Sequence, residues 1–155
     1  MNSRSEPLIM TDGIKHIHSY YSPNDLYNRI IDGLNKLGTD WSQVTLDDLK
    51  PVDEFHIRGD AATRELIKLA AFSSDQHILD VGCGIGGSTR RLSHETGCRV
   101  TGIDLSDEYI DTAKQLTRLL KMEDRVDFHA TSALALPFDS DSFDEYEQDH
   151  NELVV

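Results

Sequence analysis

The chain has 155 residues, 38% hydrophobic and 28% charged, enough for one soluble domain with a single buried core. Its net charge of −13, with 15 Lys and Arg against 28 Asp and Glu, and the lack of any basic run argue against nucleic acid as a partner, because phosphate contacts supply most of that affinity. No apolar stretch approaches the ~18 residues of a membrane span, the polar Met1–Thr11 has no signal-peptide core, and Cys83 and Cys98 form no CxxC pair, so a cytoplasmic protein without disulfides or zinc is expected, with a small molecule as its partner.

Residues 1–12 are polar, contain Pro7 and are read as loosely attached. Ile14, Ile17, Tyr20 and Tyr21 mark a first segment, and Ser22-Pro23-Asn24-Asp25 reads as a turn and helix start. Leu26, Ile30, Ile31, Leu34 and Leu37 then recur at helical spacing up to a stop at Gly38. Thr39–Phe55 is a polar connection with a short helix predicted over Leu46–Leu49 and a break at Pro51. Asp60 is placed to cap a helix running to about Phe72, with Ala62, Leu66, Leu69 and Ala70 on one face. Gln76–Val81 reads as a buried strand, Ser88–Thr96 as a helix ended by Gly97, and Arg99–Asp104 as a second strand. Ser106 caps a third helix with Asp107 and Glu108 at its positive end; Tyr109, Ala113, Leu116 and Leu120 are expected to be buried, and Arg125–Ala130 forms a third strand.

Strands alternating with helices predict the α/β class: a Rossmann-like doubly wound parallel sheet with right-handed crossovers. A helical cap and linker over residues 1–58 precede this sheet domain, which takes up 59–155. Only three or four strands can be counted, and the acidic stretch Asp139–Val155 holds no helix of useful length before Leu153-Val154-Val155. The sheet is therefore expected to be incomplete, with a truncated or altered C-terminus and an unfinished edge open to self-association.

Ile78-Leu79-Asp80-Val81-Gly82-Cys83-Gly84-Ile85-Gly86-Gly87 carries the chemistry. Gly82, Gly84 and Gly86 fit GxGxG, and Gly82, Gly84 and Gly87 fit GxGxxG, at the strand-to-helix junction where a chain must turn sharply and let a ligand approach its backbone. A plain tight turn would use the same residues. Asp104, at the end of the next strand, is an acid that can accept both ribose hydroxyls of an adenosine, or else simply lead into the following helix. Loop and acid together fit a nicotinamide dinucleotide as well as S-adenosylmethionine. Asp80 separates the two: a carboxylate just before the first glycine is a poor neighbour for a pyrophosphate and a good one for a sulfonium and an ammonium. Its alternative role is to cap nearby backbone N–H groups.

Ile78–Leu92, Thr101-Gly102-Ile103-Asp104-Leu105-Ser106, Ala133-Leu134-Ala135-Leu136-Pro137-Phe138 and Asp141-Ser142-Phe143-Asp144 follow one another in order and spacing. Over residues 59–144 the sequence resembles a class I S-adenosylmethionine-dependent methyltransferase of the small-molecule type. The resemblance implies that Asp80, Gly82, Cys83, Gly84 and Gly86 line the methionine part of the cofactor, that Asp104 holds the ribose, and that Leu105 packs on the adenine. It also implies an acid for the adenine amino group after the third strand; Ser132 stands there, and Ala133 offers its backbone N–H. The family continues its fourth motif as an apolar central strand, whereas here Glu145-Tyr146-Glu147-Gln148-Asp149 follows, and carboxylates are costly in a buried parallel strand. Tyr20-Tyr21 and Phe55-His56-Ile57-Arg58-Gly59 resemble the N-terminal cap of small-molecule methyltransferases, with His56 and the tyrosines able to close over the cofactor or simply to pack in the cap. The His16/His18 pair has no acid or cysteine placed with it, so no metal site is expected, and no catalytic base is assigned.

The functional expectation is thus methyl transfer from S-adenosylmethionine to a small molecule by direct displacement. The alternative is a non-catalytic cofactor-binding fragment that needs another chain to complete its sheet. A nicotinamide-dependent oxidoreductase is the third reading, opposed by Asp80.

Overall fold

A computed structural model describes residues 25–53 and 59–148. The expectations for Tyr20, Tyr21, His16, His18, His56 and the Leu153–Val155 tail lie outside the described residues. Among the described residues two helices come first, α1 (Leu26–Lys36) and α2 (Leu46–Asp53), and then α3 (Gly59–Ala70), β1 (His77–Val81), α4 (Gly87–Thr96), β2 (Arg99–Asp104), α5 (Asp107–Leu119), β3 (Val126–Ala130) and β4 (Glu145–Gln148). All the sheet pairings are parallel, in the order β3-β2-β1-β4.

That order follows from the chain's handedness. The two crossovers β1–α4–β2 and β2–α5–β3 step the same way across the sheet, and right-handed connections then lay both helices on one face. Ile78 and Val100 pack there with Leu92 and Cys98, flanked by Ile67 and Phe72, while Val126 and Phe128 pack with Ile110, Ala113 and Met122. The described helices thus form one half of a doubly wound sheet. On the opposite face Thr101 is buried but satisfied, sharing hydrogen bonds with His77 (2.9 Å) and Asp127 (2.6 Å). Outside the sheet, α1 and α2 pack Ile30, Leu34 and Leu49 against Leu116 of α5.

Among the described residues the chain crosses to the other side of β1 only with β4, so the switch in strand order falls between β1 and β4, at the end of the sheet where the glycine loop leaves β1. In open α/β sheets this crevice is where ligands bind. Asp144, the last residue of the fourth motif, fastens the join: its carboxylate accepts from the His77 N–H (2.7 Å) and its own N–H donates to the His77 carbonyl (2.9 Å).

Several expectations need correction. Glu145 and Glu147 do enter a strand, paired with Ile78 and Asp80 of β1; among the described residues β4 is an edge, so its acids are not enclosed between two neighbours. Pro51 does not break α2, which runs on to Asp53. In α3, Ile67 reaches the core while Leu69 is 77% exposed. In α5, Tyr109 is not buried (44% exposed), and the inward stripe begins with Ile110. The glycine stops hold, with Gly38 and Gly97 both left-handed just past their helices.

Candidate functional site

The glycine loop is fixed from two sides. Gly82 and Cys83 both donate to the Ile103 carbonyl at the end of β2 (2.8 and 3.0 Å), and Gly86 closes the turn onto the Cys83 carbonyl (2.9 Å). Gly82, Gly84 and Gly86 have φ of 80°, 54° and 82°, a region that costs other residues about 1–2 kcal/mol. Two of the glycines are also there for room. A Cβ on Gly86 would lie 2.4 Å from the Phe128 ring, and one on Gly87 2.7 Å from Cβ of Asp53. Gly84 differs: a Cβ there would meet nothing within 4 Å, so its backbone borders open space.

Asp104 organises the far side. Its Oδ2 accepts from the Gly84 N–H (3.1 Å) and its Oδ1 from the Ser106 N–H (2.9 Å), while its carbonyl accepts from Thr131 N–H (2.9 Å). One residue thereby joins the glycine loop, the start of α5 and the segment after β3. Leu105 beside it is 78% exposed. Ser132 accepts from the Leu134 N–H through its hydroxyl (3.2 Å), and Ala133 is exposed next to it. The structure therefore brings Gly84, Asp104, Leu105, Ser132 and Ala133 to one end of the sheet.

Asp80 and Cys83 take different places. Asp80 is fully buried beneath the first turn of α4, where its Oδ2 accepts from the hydroxyls of Ser88 (3.4 Å) and Thr89. Its negative charge offsets the positive end of the helix, which in a dinucleotide fold is left for the pyrophosphate. The Cys83 thiol is 5% exposed and packs among the core residues around Phe128. Burial, reinforced by the charges of Asp80 and Asp104, pushes it far above the ordinary thiol range, so it stays protonated and is no nucleophile.

A cavity of about 540 Å³ opens over the loop, walled by Gly82–Ile85, Gly87 and Ser88 on one side and by Leu26, Arg29, Ile30 and Gly33 of α1 on the other, with Val52, Asp53 and Tyr109 between them. Arg29 was not singled out from the sequence, and Tyr109 was expected there only as a buried residue of α5. The cavity wall is braced by Arg90, whose buried guanidinium donates to Asp53 (2.7 Å), to the Ile85 carbonyl of the loop (2.9 Å) and to Thr117 of α5 (3.3 Å). Among the described residues no group of three or more His, Cys, Asp or Glu could hold a metal ion, and no helix is long and apolar enough to cross a membrane.

Residues 78–146 match the family described as "Methyltransferase domain". Through this segment the chain is similar to S-adenosylmethionine-dependent methyltransferases. It is 34% identical to the methyltransferase GfsG of Streptomyces halstedii over 97 residues, which are 63% of this chain and 35% of that protein. Among solved structures, the phosphoethanolamine N-methyltransferase 2 of Haemonchus contortus, in complex with phosphomonomethylethanolamine and S-adenosylhomocysteine, matches at 28% identity with a TM-score of 0.54, over 58% of this chain and 21% of that one. The [4+2]-cyclase SpnF matches at 31% identity with a TM-score of 0.52, over 61% and 36%. The methyltransferase segment sits within a chain that spans between about a third and a half of the length of curated relatives it matches.

Proposed function

We propose that this chain binds S-adenosylmethionine across the glycine loop and serves methyl transfer to a small-molecule acceptor. The observation that carries this reading is Asp104, held by the Gly84 and Ser106 N–H groups at the rim of an open cradle. Each carboxylate oxygen keeps lone-pair capacity for a ribose hydroxyl. The exposed Leu105 offers an apolar surface to adenine, with Ser132 and Ala133 at its amino edge, while Gly82, Cys83 and Gly84 present main chain to the methionine portion. Asp80 acts from below the loop through its charge, favouring a cationic ligand over a phosphate.

When bound, the cofactor supplies a methyl group activated by a sulfonium leaving group. The chain's own contribution is to hold and orient: the loop fixes one end, Asp104 the middle, and α1 with Val52 and Tyr109 limits water on the open side. Proximity of this kind supplies much of the rate in a direct displacement. No side chain is assigned as a base. In this reading residues 1–58 form a cap and linker and 59–155 the cofactor domain, in a cytoplasmic protein.

Calorimetric titration with S-adenosylhomocysteine tests the reading, and saturable binding is expected. NADH binding with no S-adenosylhomocysteine binding would overturn it. The likeness to a [4+2]-cyclase supports a second reading, in which the domain binds the cofactor without transferring its methyl group. A methyl-transfer assay with mixed amine, hydroxyl and quinone acceptors decides between them, since cofactor binding without product favours the second.

A further inference from the structure

The α1 wall of the cavity is a single helical stripe, Leu26, Arg29, Ile30 and Gly33, spaced to share one face. Packing of Ile30 and Leu34 against α2 and α5 sets the rotation of this helix and so puts Arg29 on the cavity rim. Gly33 stands one turn further along, and a Cβ there would meet nothing within 4 Å. A mid-helix glycine costs about 1 kcal/mol relative to alanine, and here it keeps the space beside Arg29 clear. Among the described residues two charged side chains line the cavity, Arg29 and Asp53. Asp53 is already matched, since Arg90 holds it at 2.7 Å. Arg29 is exposed, and among the described residues no carboxylate forms an ion pair with it. The rest of the described wall is uncharged, made of apolar side chains, glycine main chain, Ser88 and Tyr109, so among the described residues an anion entering over the loop finds Arg29 as its cationic partner.

We propose that Arg29 binds the carboxylate at the amino-acid end of the cofactor, making α1 part of the cofactor site. The assignment rests on the cofactor reading above. It follows from the layout: Asp104 and Leu105 place the nucleoside on the β2 side of the loop, which leaves the amino-acid end to run over Gly82–Gly84 into the cavity that Arg29 overlooks. A guanidinium matches a carboxylate in geometry as well as charge. The same contact would close α1 down on the bound cofactor.

The test compares two ligands that differ in this end alone. S-adenosylhomocysteine carries the carboxylate, whereas 5′-methylthioadenosine lacks the whole amino-acid group. In the 155-residue chain, Arg29→Gln is expected to weaken S-adenosylhomocysteine about tenfold and to leave 5′-methylthioadenosine within about twofold, with Arg29→Lys recovering part of the loss. An unchanged melting temperature without ligand shows that the variant is folded, as expected for an exposed position. Equal weakening of both ligands, or no weakening of either, overturns the role of Arg29. A wild-type chain that binds neither ligand overturns the cofactor reading itself, so the two failures are distinguishable.

Discussion

The glycine loop and the segment after β3 meet at Asp104, yet they are built to different tolerances. Around the loop, Gly86 lies against the Phe128 ring and Gly87 against Asp53, and Arg90 ties the Ile85 carbonyl to two helices. The segment from Thr131 to Phe138 carries Leu134 at 98% exposure and leans on local bonds, such as the Leu134 N–H to Ser132, with outward links at its two ends, from Thr131 N–H to the Asp104 carbonyl and from the Phe138 ring to His129 and Phe143. The first region is fixed by packing, so changes there should damage fold and binding together. The second is free to vary, so changes there should alter affinity alone.

Asp53→Ala should break this contrast most severely. It removes the carboxylate facing Arg90, whose side chain is fully buried, and an uncompensated buried charge costs about 3–5 kcal/mol. Chemical denaturation should show a lower midpoint with little change in slope. A loss below about 1 kcal/mol would mean that solvent reaches Arg90 and that the loop is less rigidly framed than its contacts imply.

Gly86→Ala comes next. It combines left-handed strain with a methyl driven into Phe128, together worth about 3 kcal/mol. Gly84→Ala is the informative control, because its φ is also positive but the space above it is open. That variant should lose only about 1–2 kcal/mol of stability while binding S-adenosylhomocysteine distinctly worse. If both variants lose stability alike and both bind, the open space over Gly84 is not the cofactor cradle.

The same contrast explains what could be read from the sequence. Strand, helix and glycine spacing located β1 through β3 and the helices between them to within a residue or two, because burial and hydrophobic period coincide there. Asp104 and the loop glycines were legible for the same reason, each answering to a local backbone need. Arg90 was not, because its partner Asp53 lies 37 residues away and no local pattern marks a buried arginine. Tyr109 was misplaced because it sits one helical turn before Ala113, on the same stripe, but at an end of α5 that runs past the core to the cavity. Arg29 was hidden in a helix whose period reports only its buried face. For β4, the acids of Glu145 and Glu147 argued against a buried strand, while the bonds between Asp144 and His77 were visible only in three dimensions.

Asp104→Asn moves to the junction between the two regions. It keeps the shape of the side chain but loses the charge and one of two acceptors for the Gly84 and Ser106 N–H groups. Hydrogen bonds to a charged partner are worth about 1.5–3 kcal/mol, so S-adenosylhomocysteine should weaken about 30-fold. The melting temperature should fall by only a few degrees. Collapse of the fold, in place of selective loss of binding, would assign Asp104 to the packed region.

The smallest effect is expected in the loose segment and has the opposite sign. The family presents an acid to the adenine amino group where this chain has Ser132, whose hydroxyl already accepts from the Leu134 N–H at 3.2 Å. Ser132→Asp can keep that bond with one carboxylate oxygen, in an Asx turn, and turn the other outward. A charged acceptor forms the stronger hydrogen bond, but the site is exposed and screened. A gain of about threefold in S-adenosylhomocysteine affinity is therefore expected, with stability unchanged because the one bond given for Ser132 is local and can be kept. S-inosylhomocysteine has no exocyclic amino group and should gain nothing. Equal tightening of both ligands would mean that the new charge acts through space and not on the adenine edge. A loss of stability would mean that the segment after β3 is held more closely than its exposure implies.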